Sequence, residues 1–323
     1  MKIGRISSGK AVQEYRQQWE TLLTSVVTRH PFLEPDWLFV WLRHFGRGAQ
    51  PYVLSAHDSD GPVGLFPLVS QRSGLMLGAR VLPFPGHVLA DYQGPLVAEG
   101  KSHAVSEFAA FLAQQRDWDL LWLPDLRDDG WGIDILIDVL RKNGLRVVTL
   151  PSLKCPYISI LNQWSDYYKT TRSGGARKNL DRSLRRLGEK GALAFRHYTS
   201  SKEVSGALEH TFRLHEARWF DRFTTTPYSN SSGKAFFKDL ADAYAKIDLL
   251  DLSTLELDGR PIAFTFSFHY PGSYFYYIPA FDPEFASYSP GTLLMIHLME
   301  KAFENGDTVF DFMKGDEPYK WQW

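Results

Sequence analysis

Cysteine is almost missing from this sequence: Cys155 is the only one in 323 residues, so no internal disulfide can form and a reducing compartment is expected. No apolar run reaches the length of a membrane span, and Met1–Lys10 lacks the apolar centre of a secretory leader. A cytoplasmic protein is the expectation. Charge of one sign is missing as well: 36 Lys and Arg against 37 Asp and Glu leave a net charge of −1. That excludes a global field drawing the chain to nucleic acid or to an anionic membrane. No Cys/His/Asp spacing reads as a metal site, and there is no Gly-x-Ser-x-Gly elbow, Gly-x-Gly-x-x-Gly turn or Walker motif.

What is present is a folded, aromatic-rich protein. Hydrophobic residues make up 44%, charged residues 23% and aromatics 15%, a composition that suits sheets with large cores. The length points to two domains, divided near residues 153 and 154, of α/β (α+β) character. In the first domain, Val12–His30 has helical spacing, and Glu34-Pro35-Asp36 opens a second helix. Tyr52–His57 and Val63–Ser70 flank the turn signal Asp58-Ser59-Asp60-Gly61. Arg80–Phe84 reads as a strand that Pro83 and Pro85 push toward an edge. Asp91-Tyr92-Gln93-Gly94-Pro95 is a loop before a short strand at Leu96–Ala98. The helix Ser102–Gln115, the strand Asp119–Leu123, the helix Ile133–Asn143 and a strand at Leu145–Leu150 complete it. The second domain opens on strand Cys155–Leu161, followed by helix Asn162–Arg172 and the loop Ser173-Gly174-Gly175. A helix bearing Arg177, Lys178, Asn179, Arg182, Arg185, Arg186 and Lys190 comes next, then strand Ala192–Tyr198 and the long helix Ser200–Phe223. Thr224–Gly233 reads as a mobile polar loop, and Ala235–Lys246 as a helix.

The stretch Leu249–Trp323 organises the rest. Leu249–Leu257 and Ile262–Tyr270 flank Asp258-Gly259, a tight-hairpin dipeptide, and Ser273–Phe281 adds a third strand. Ser289-Pro290-Gly291-Thr292 then starts a helix that Asn305-Gly306 ends. Ser289 suits the cap and Pro290 the first helical position, so the backbone N–H groups of Gly291, Thr292 and Leu293 are offered to an anion. Thr308–Met313 returns as a buried strand carrying one ionisable residue, Asp311. The tail Lys314-Gly315-Asp316-Glu317-Pro318-Tyr319-Lys320 follows. The first domain repeats this order, with Asp60-Gly61 answering to Asp258-Gly259 and Asp119–Leu123 to Thr308–Met313. It has no counterpart of Ser289-Pro290-Gly291.

Tyr288-Ser289-Pro290-Gly291, together with Phe310-Asp311-Phe312 and Gly315-Asp316-Glu317-Pro318-Tyr319-Lys320, resembles the CelD/BcsL acetyltransferases. That family belongs to the GNAT superfamily and is related to the Fem peptidyl transferases. The resemblance implies two tandem GNAT-like domains, each a mixed, twisted sheet flanked by helices. Residues 1–153 would be a degenerate copy and residues 154–323 the copy with the site. It implies an acyl-CoA-dependent N- or O-acyltransferase, with acetyl-CoA or a longer acyl-CoA as co-substrate. The acceptor would be a small molecule, saccharide or amine, with a link to cellulose or exopolysaccharide synthesis and to its other proteins. In that architecture Ser289, Pro290, Gly291, Thr292 and Leu293 take the pyrophosphate. Asp311 or Glu317 serves as base, Tyr319 donates to the thiolate, and Lys320 stabilises developing negative charge. The resemblance also singles out Arg177-Lys178-Asn179-Leu180-Asp181-Arg182 for ligand binding, although such a run can equally be a solvated face. His215, Arg218 and Trp219 on the long helix join the substrate side, with His215 alternatively a core histidine. Two rivals remain: a Fem-like transferase using aminoacyl-tRNA, the only case in which RNA would bind, and a non-catalytic scaffold of a polysaccharide synthase. GNAT domains ordinarily continue with more sheet past the position of Trp323, so either the last strands come from elsewhere or the site is incomplete.

Overall fold

The computed structural model describes residues 1–26, 28–86, 88–127, 130–219, 228 and 230–323, with Trp219 described in its backbone alone. Half of Thr224–Gly233 thus lies outside the described residues. The chain divides into two compact units, Met1–Ser152 and Leu153–Trp323. No helix among the described residues is long and apolar enough to cross a membrane.

The first unit holds β1 (Lys2–Ile6), β2 (Gln50–His57), β3 (Pro62–Ser73), β4 (Ala79–Pro83), β5 (Leu96–Val97) and β6 (Leu120–Trp122). The order is β1-β2-β3-β4-β6, with β5 on β3. The β2–β3 hairpin closes where the Asp58 carboxylate accepts the Asp60 N–H at 2.9 Å and Gly61 takes a φ of 130° that a side chain would resist. β4 and β6 are parallel, and α4 (His103–Gln114) crosses between them. Phe108 and Leu112 of α4 pack with Leu54, Phe66, Leu82 and Leu136, the last on α5 (Ile133–Lys142), to form the core. Four expectations change here. β1 was not foreseen. Tyr15 divides the first helical stretch into α1 (Gly9–Glu14) and α2 (Arg16–Leu23), while α3 (Pro35–His44) follows as read. β4 is interior rather than an edge, because Pro83 stands at its last position, where little ladder remains to break. Leu145–Leu150 forms no strand, and its apolar residues Leu145 and Val147 pack on the core from an irregular segment.

The second unit contains β7 (Tyr157–Ser159), α6 (Trp164–Thr171), α7 (Gly174–Gly188), β8 (Leu193–Tyr198), α8 (Ser201–Trp219) and α9 (Ser231–Ala245). β9 (Leu250–Leu257), β10 (Arg260–Tyr270), β11 (Ser273–Phe281), α10 (Pro290–Glu304) and β12 (Val309–Asp311) complete it. The sheet order is β7-β12-β11-β10-β9-β8. Asp258 (φ 50°) and Gly259 (φ 77°) both take left-handed backbone, the requirement of a tight β9–β10 turn. Alternation along β10 sends Phe264, Phe266 and Phe268 to one face, against Tyr228, Phe237 and Tyr244. Ala263 and its register partner Leu255 lie on the other, among Leu294, Leu298 and Met299 of α10. The strand beyond β12 comes from the start of the same unit, since β7 pairs antiparallel with β12. Both sheets therefore run the same way: an antiparallel run of four strands, β1-β2-β3-β4 or β8-β9-β10-β11, then a helical crossover to a parallel partner, β6 or β12.

Candidate active site

β11 and β12 are paired only over Ser273–Phe275 and Val309–Asp311. β11 then continues against β10 to Phe281, whereas after Asp311 the other chain turns off, with the Phe312 N–H donating to Pro156 O at 3.0 Å. From Tyr276 onward no ladder joins the two strands. A 3-10 turn, Pro283–Tyr288, carries the end of β11 to the first turn of α10, on the same side as this parting.

Ser289 sits at the cap position in left-handed backbone (φ 53°), and its side chain makes no capping bond. The expected Ser289 cap is therefore absent. The Leu293 N–H is also taken, donating to Ser289 O at 3.1 Å. Pro290 has no N–H, so Gly291 and Thr292 keep the first-turn donors that lack an intrahelical acceptor. A Cβ on Gly291 would stand 3.2 Å from Cδ1 of Phe281, so the helix start is packed tightly on the end of β11.

Three cations flank this turn through aromatic rings. Arg186 and Lys190, at and beyond the end of α7, lie 4.9 and 5.7 Å from the Tyr288 ring centre, and Arg218 of α8 lies 4.7 Å from that of Phe281. Each positive charge is held by the face of a ring adjoining the helix start. Arg218 was anticipated, and Arg186 and Lys190 were present in the basic run without being singled out. The residues that were singled out stand further along α7. Arg177 is about 13 Å from Arg186 at 1.5 Å per helical residue. Lys178, Asn179 and Arg182 are exposed, with the Arg182 guanidinium donating to Asn179 Oδ1 at 3.4 Å. His215 is buried at 5% exposure, 4.9 Å from the Tyr228 ring. Burial pushes its pKa down to about 4. It is a neutral core histidine rather than a residue presented to substrate. Trp219's side chain lies outside the described residues. A cavity of about 400 Å³ opens alongside, lined by His210, Arg213, Leu214, Ala217, Arg260, Pro261 and Asp282.

The tail is more constrained than its sequence suggests. Asp311 is 1% exposed, and its Oδ1 accepts the Met313 N–H at 2.7 Å while Met313 takes a φ of 61°, so this carboxylate shapes the strand exit. Lys320 is neither frayed nor open to a cleft. Its buried ammonium donates to the carbonyls of Lys314 (2.9 Å), Met313 (3.3 Å) and Gly315 (3.5 Å) and pairs with Glu317 at 2.9 Å. Three protons facing four oxygens leave no donor for a reacting atom, which corrects the role expected of it. Glu317 is the exposed carboxylate of the group. Burial, then the Glu317 charge, raises the pKa of Tyr319, so its phenol stays protonated, and burial, then the nearby Tyr319, raises Tyr276 on β11.

Residues 174–321 match the family model described as an acetyltransferase (GNAT) domain. No curated protein sequence matches the chain. Among solved structures, FemX is similar at a TM-score of 0.67 and 13% identity, over 98% of this chain and 90% of that one. A conserved protein of unknown function from Bacteroides thetaiotaomicron VPI-5482 is similar at 0.57 and 14%, over 96% and 92%. A tandem GNAT protein from the clavulanic acid biosynthesis pathway is similar at 0.51 and 11%, over 98% and 92%. The chain thus has the fold of two tandem GNAT-like domains, each a mixed sheet flanked by helices, and the match to a GNAT acetyltransferase domain lies in its second half.

Proposed function

We propose that the C-terminal domain is an acyltransferase that takes its acyl group from acyl-CoA, and that the N-terminal domain is a copy that has lost this donor site. The observation that carries the reading is the first turn of α10, with the free donors of Gly291 and Thr292 and the flanking Arg186, Lys190 and Arg218. A diphosphate suits that arrangement, because helix-start amides and guanidinium groups both favour phosphate oxygens. Pantetheine then runs where β11 leaves β12. An acceptor nitrogen or oxygen attacks the thioester carbonyl carbon and gives its proton to a carboxylate. The C–S bond breaks, and the thiolate takes the proton of Tyr319. Glu317 is the better-placed carboxylate, being exposed while Asp311 is committed to the Met313 turn. Lys320 acts on the reaction only through the loop it holds. The acceptor side is the basic face of α7 with Arg177, Lys178, Asn179 and Arg182, in keeping with a small-molecule or saccharide acceptor of exopolysaccharide synthesis. The protein works in the cytoplasm.

Titration calorimetry with acetyl-CoA and with a longer acyl-CoA tests this. Saturable binding is expected, weakened by roughly 10²-fold or more in Gly291→Val, where the new side chain crowds Phe281 and closes the backbone to the phosphates. Binding of aminoacyl-tRNA with no heat from any acyl-CoA would transfer the site to a Fem-like peptidyl transferase.

A further inference from the structure

Within the N-terminal domain is a cavity of about 210 Å³, and its lining includes His30, Gln93, Ser102, Arg127 and Trp131. Its polar wall is unusual. His30 Nδ1 and both amide atoms of Gln93 are buried with no hydrogen-bond partner among the described residues. The two residues are 2% and 4% exposed, so solvent at the surface does not serve them. Folded proteins leave few such groups unpaired, because each forfeits the hydration it had in the unfolded chain.

The backbone that carries this amide is held at both of its polar groups. Gln93 N–H donates to Asp125 O at 2.8 Å, and Gln93 O accepts the Arg127 N–H at 3.1 Å, which bridges the loop to the segment around Leu126. The Trp131 indole N–H in turn donates to Arg127 O at 2.6 Å, and that indole stands 3.5 Å from where a Cβ on Gly94 would be. An unpaired amide on a fixed backbone beside an indole is a preorganised arrangement. Its place in the fold is the second observation. α4 crosses from β4 to β6 as α10 crosses from β11 to β12, and the cavity includes Ser102, the residue from which α4 starts. The cavity therefore occupies the N-terminal counterpart of the α10 helix start.

We propose that this cavity is a binding site for a small polar molecule that presents a hydrogen-bond donor and acceptor side by side, as a primary carboxamide or a vicinal diol does. The Gln93 amide offers one acceptor and one donor in the same plane, which matches such an edge with two bonds. His30 supplies a third contact, and the indole of Trp131 covers the ligand's apolar part. The room equals about seven liquid waters at ~30 Å³ each, enough for one small molecule and not for a chain. No acyl group is involved, so the site stands or falls apart from the acyl-CoA reading.

Saturation-transfer NMR and calorimetry on the full chain, with nicotinamide as the carboxamide and D-glucose as the diol, test the proposal. Binding of one probe is expected, and which one binds identifies the source of the edge. Gln93→Met should weaken that probe at least about tenfold. Its unliganded melting temperature should be unchanged or higher, because the substitution removes an unpaired buried amide. His30→Phe should weaken the probe as well and provides the reading if the first variant does not fold. Failure of both probes to bind, affinity unchanged in both variants, or a lowered melting temperature in a folded Gln93→Met, which would show an amide already satisfied, would each overturn it.

Discussion

The two domains run their strands in one order but join the last two differently. In the C-terminal domain β11 reaches α10 through a single 3-10 turn, so the helix start lies against the strand end and takes its neighbours from Phe281 and Tyr288. In the N-terminal domain the chain between Pro83 and His103 wanders through Gln93 and β5 before α4 begins. The short joint yields amides and cations suited to phosphate. The long one yields a cavity whose wall includes the unpaired polar groups of His30 and Gln93. Under the two proposals made above, a repeated strand order keeps the place of a site while the length of one connection decides its chemistry.

The largest effect that would break this contrast lies in the cation ring. Replacing Arg186, Lys190 and Arg218 together by Ala should lower acyl-CoA affinity by roughly 10²- to 10³-fold, since each charged contact is worth about 1.5–3 kcal/mol before non-additivity. Calorimetry should show less than a threefold loss for Arg177→Gln with Arg182→Gln. Equal losses in the two variants would move the phosphate site up α7.

Acid should act on the C-terminal domain through His215. Its folded pKa of about 4 lies below the unfolded value near 6.5. The unfolded chain therefore binds the proton first, and stability present above pH 6.5 is lost as pH falls toward 4, by about 3 kcal/mol at most. His297, also lowered to about 4 by burial, adds in the same sense. His269, raised by Asp307, works oppositely, contributing below pH 6.5 and losing its share as pH rises through its folded value. Denaturant titrations of His215→Leu should show a flatter pH dependence between 7 and 4. An unchanged slope would mean that this histidine is reached by water in the native state.

Lys320→Met should cost about 2 kcal/mol, because three carbonyls and Glu317 lose their shared donor. The melting temperature should fall in step with turnover. Lost turnover at full stability would restore a direct catalytic role. Asp311→Asn is the mildest change. An amide oxygen can still accept the Met313 N–H, so stability should move by less than about 1 kcal/mol. Turnover should also stay within about threefold if Glu317 is the base, and a drop beyond about 10² would reassign that role to Asp311.

Much of the C-terminal sheet was legible because its punctuation is local. Asp258-Gly259 needs positive φ, and Ser289-Pro290-Gly291 marks a strand-to-helix joint whatever surrounds it. The β1 strand was not legible, since it is short and its pairing with β2 spans some fifty residues of sequence. The site was read in part. Gly291 and Thr292 follow from helix geometry, but the loss of the Ser289 cap depends on a backbone angle set by the preceding turn. Arg186 and Lys190 could be recognised only from the ring they lie over, a contact about a hundred residues away. Lys320 differs from its reading because rings on either side, Tyr319 and Trp321, suggest a packed stem with an ammonium free to reach a cleft, whereas the carbonyls of Met313, Lys314 and Gly315 take that ammonium.

The pairing of β7 with β12 has a kinetic consequence. It joins the first and the last strand described in the C-terminal domain through three residues, Tyr157–Ser159 against Val309–Asp311. Closing so long a loop for so short a ladder places this contact late in folding, after β8 to β11 have formed. Until then β12, with Phe310 at its centre and Phe312 just after it, is a bare apolar edge able to pair with another chain. A variant that weakens β7, such as Ile158→Pro, should therefore appear first as aggregation during refolding, and only secondarily as a lower melting temperature.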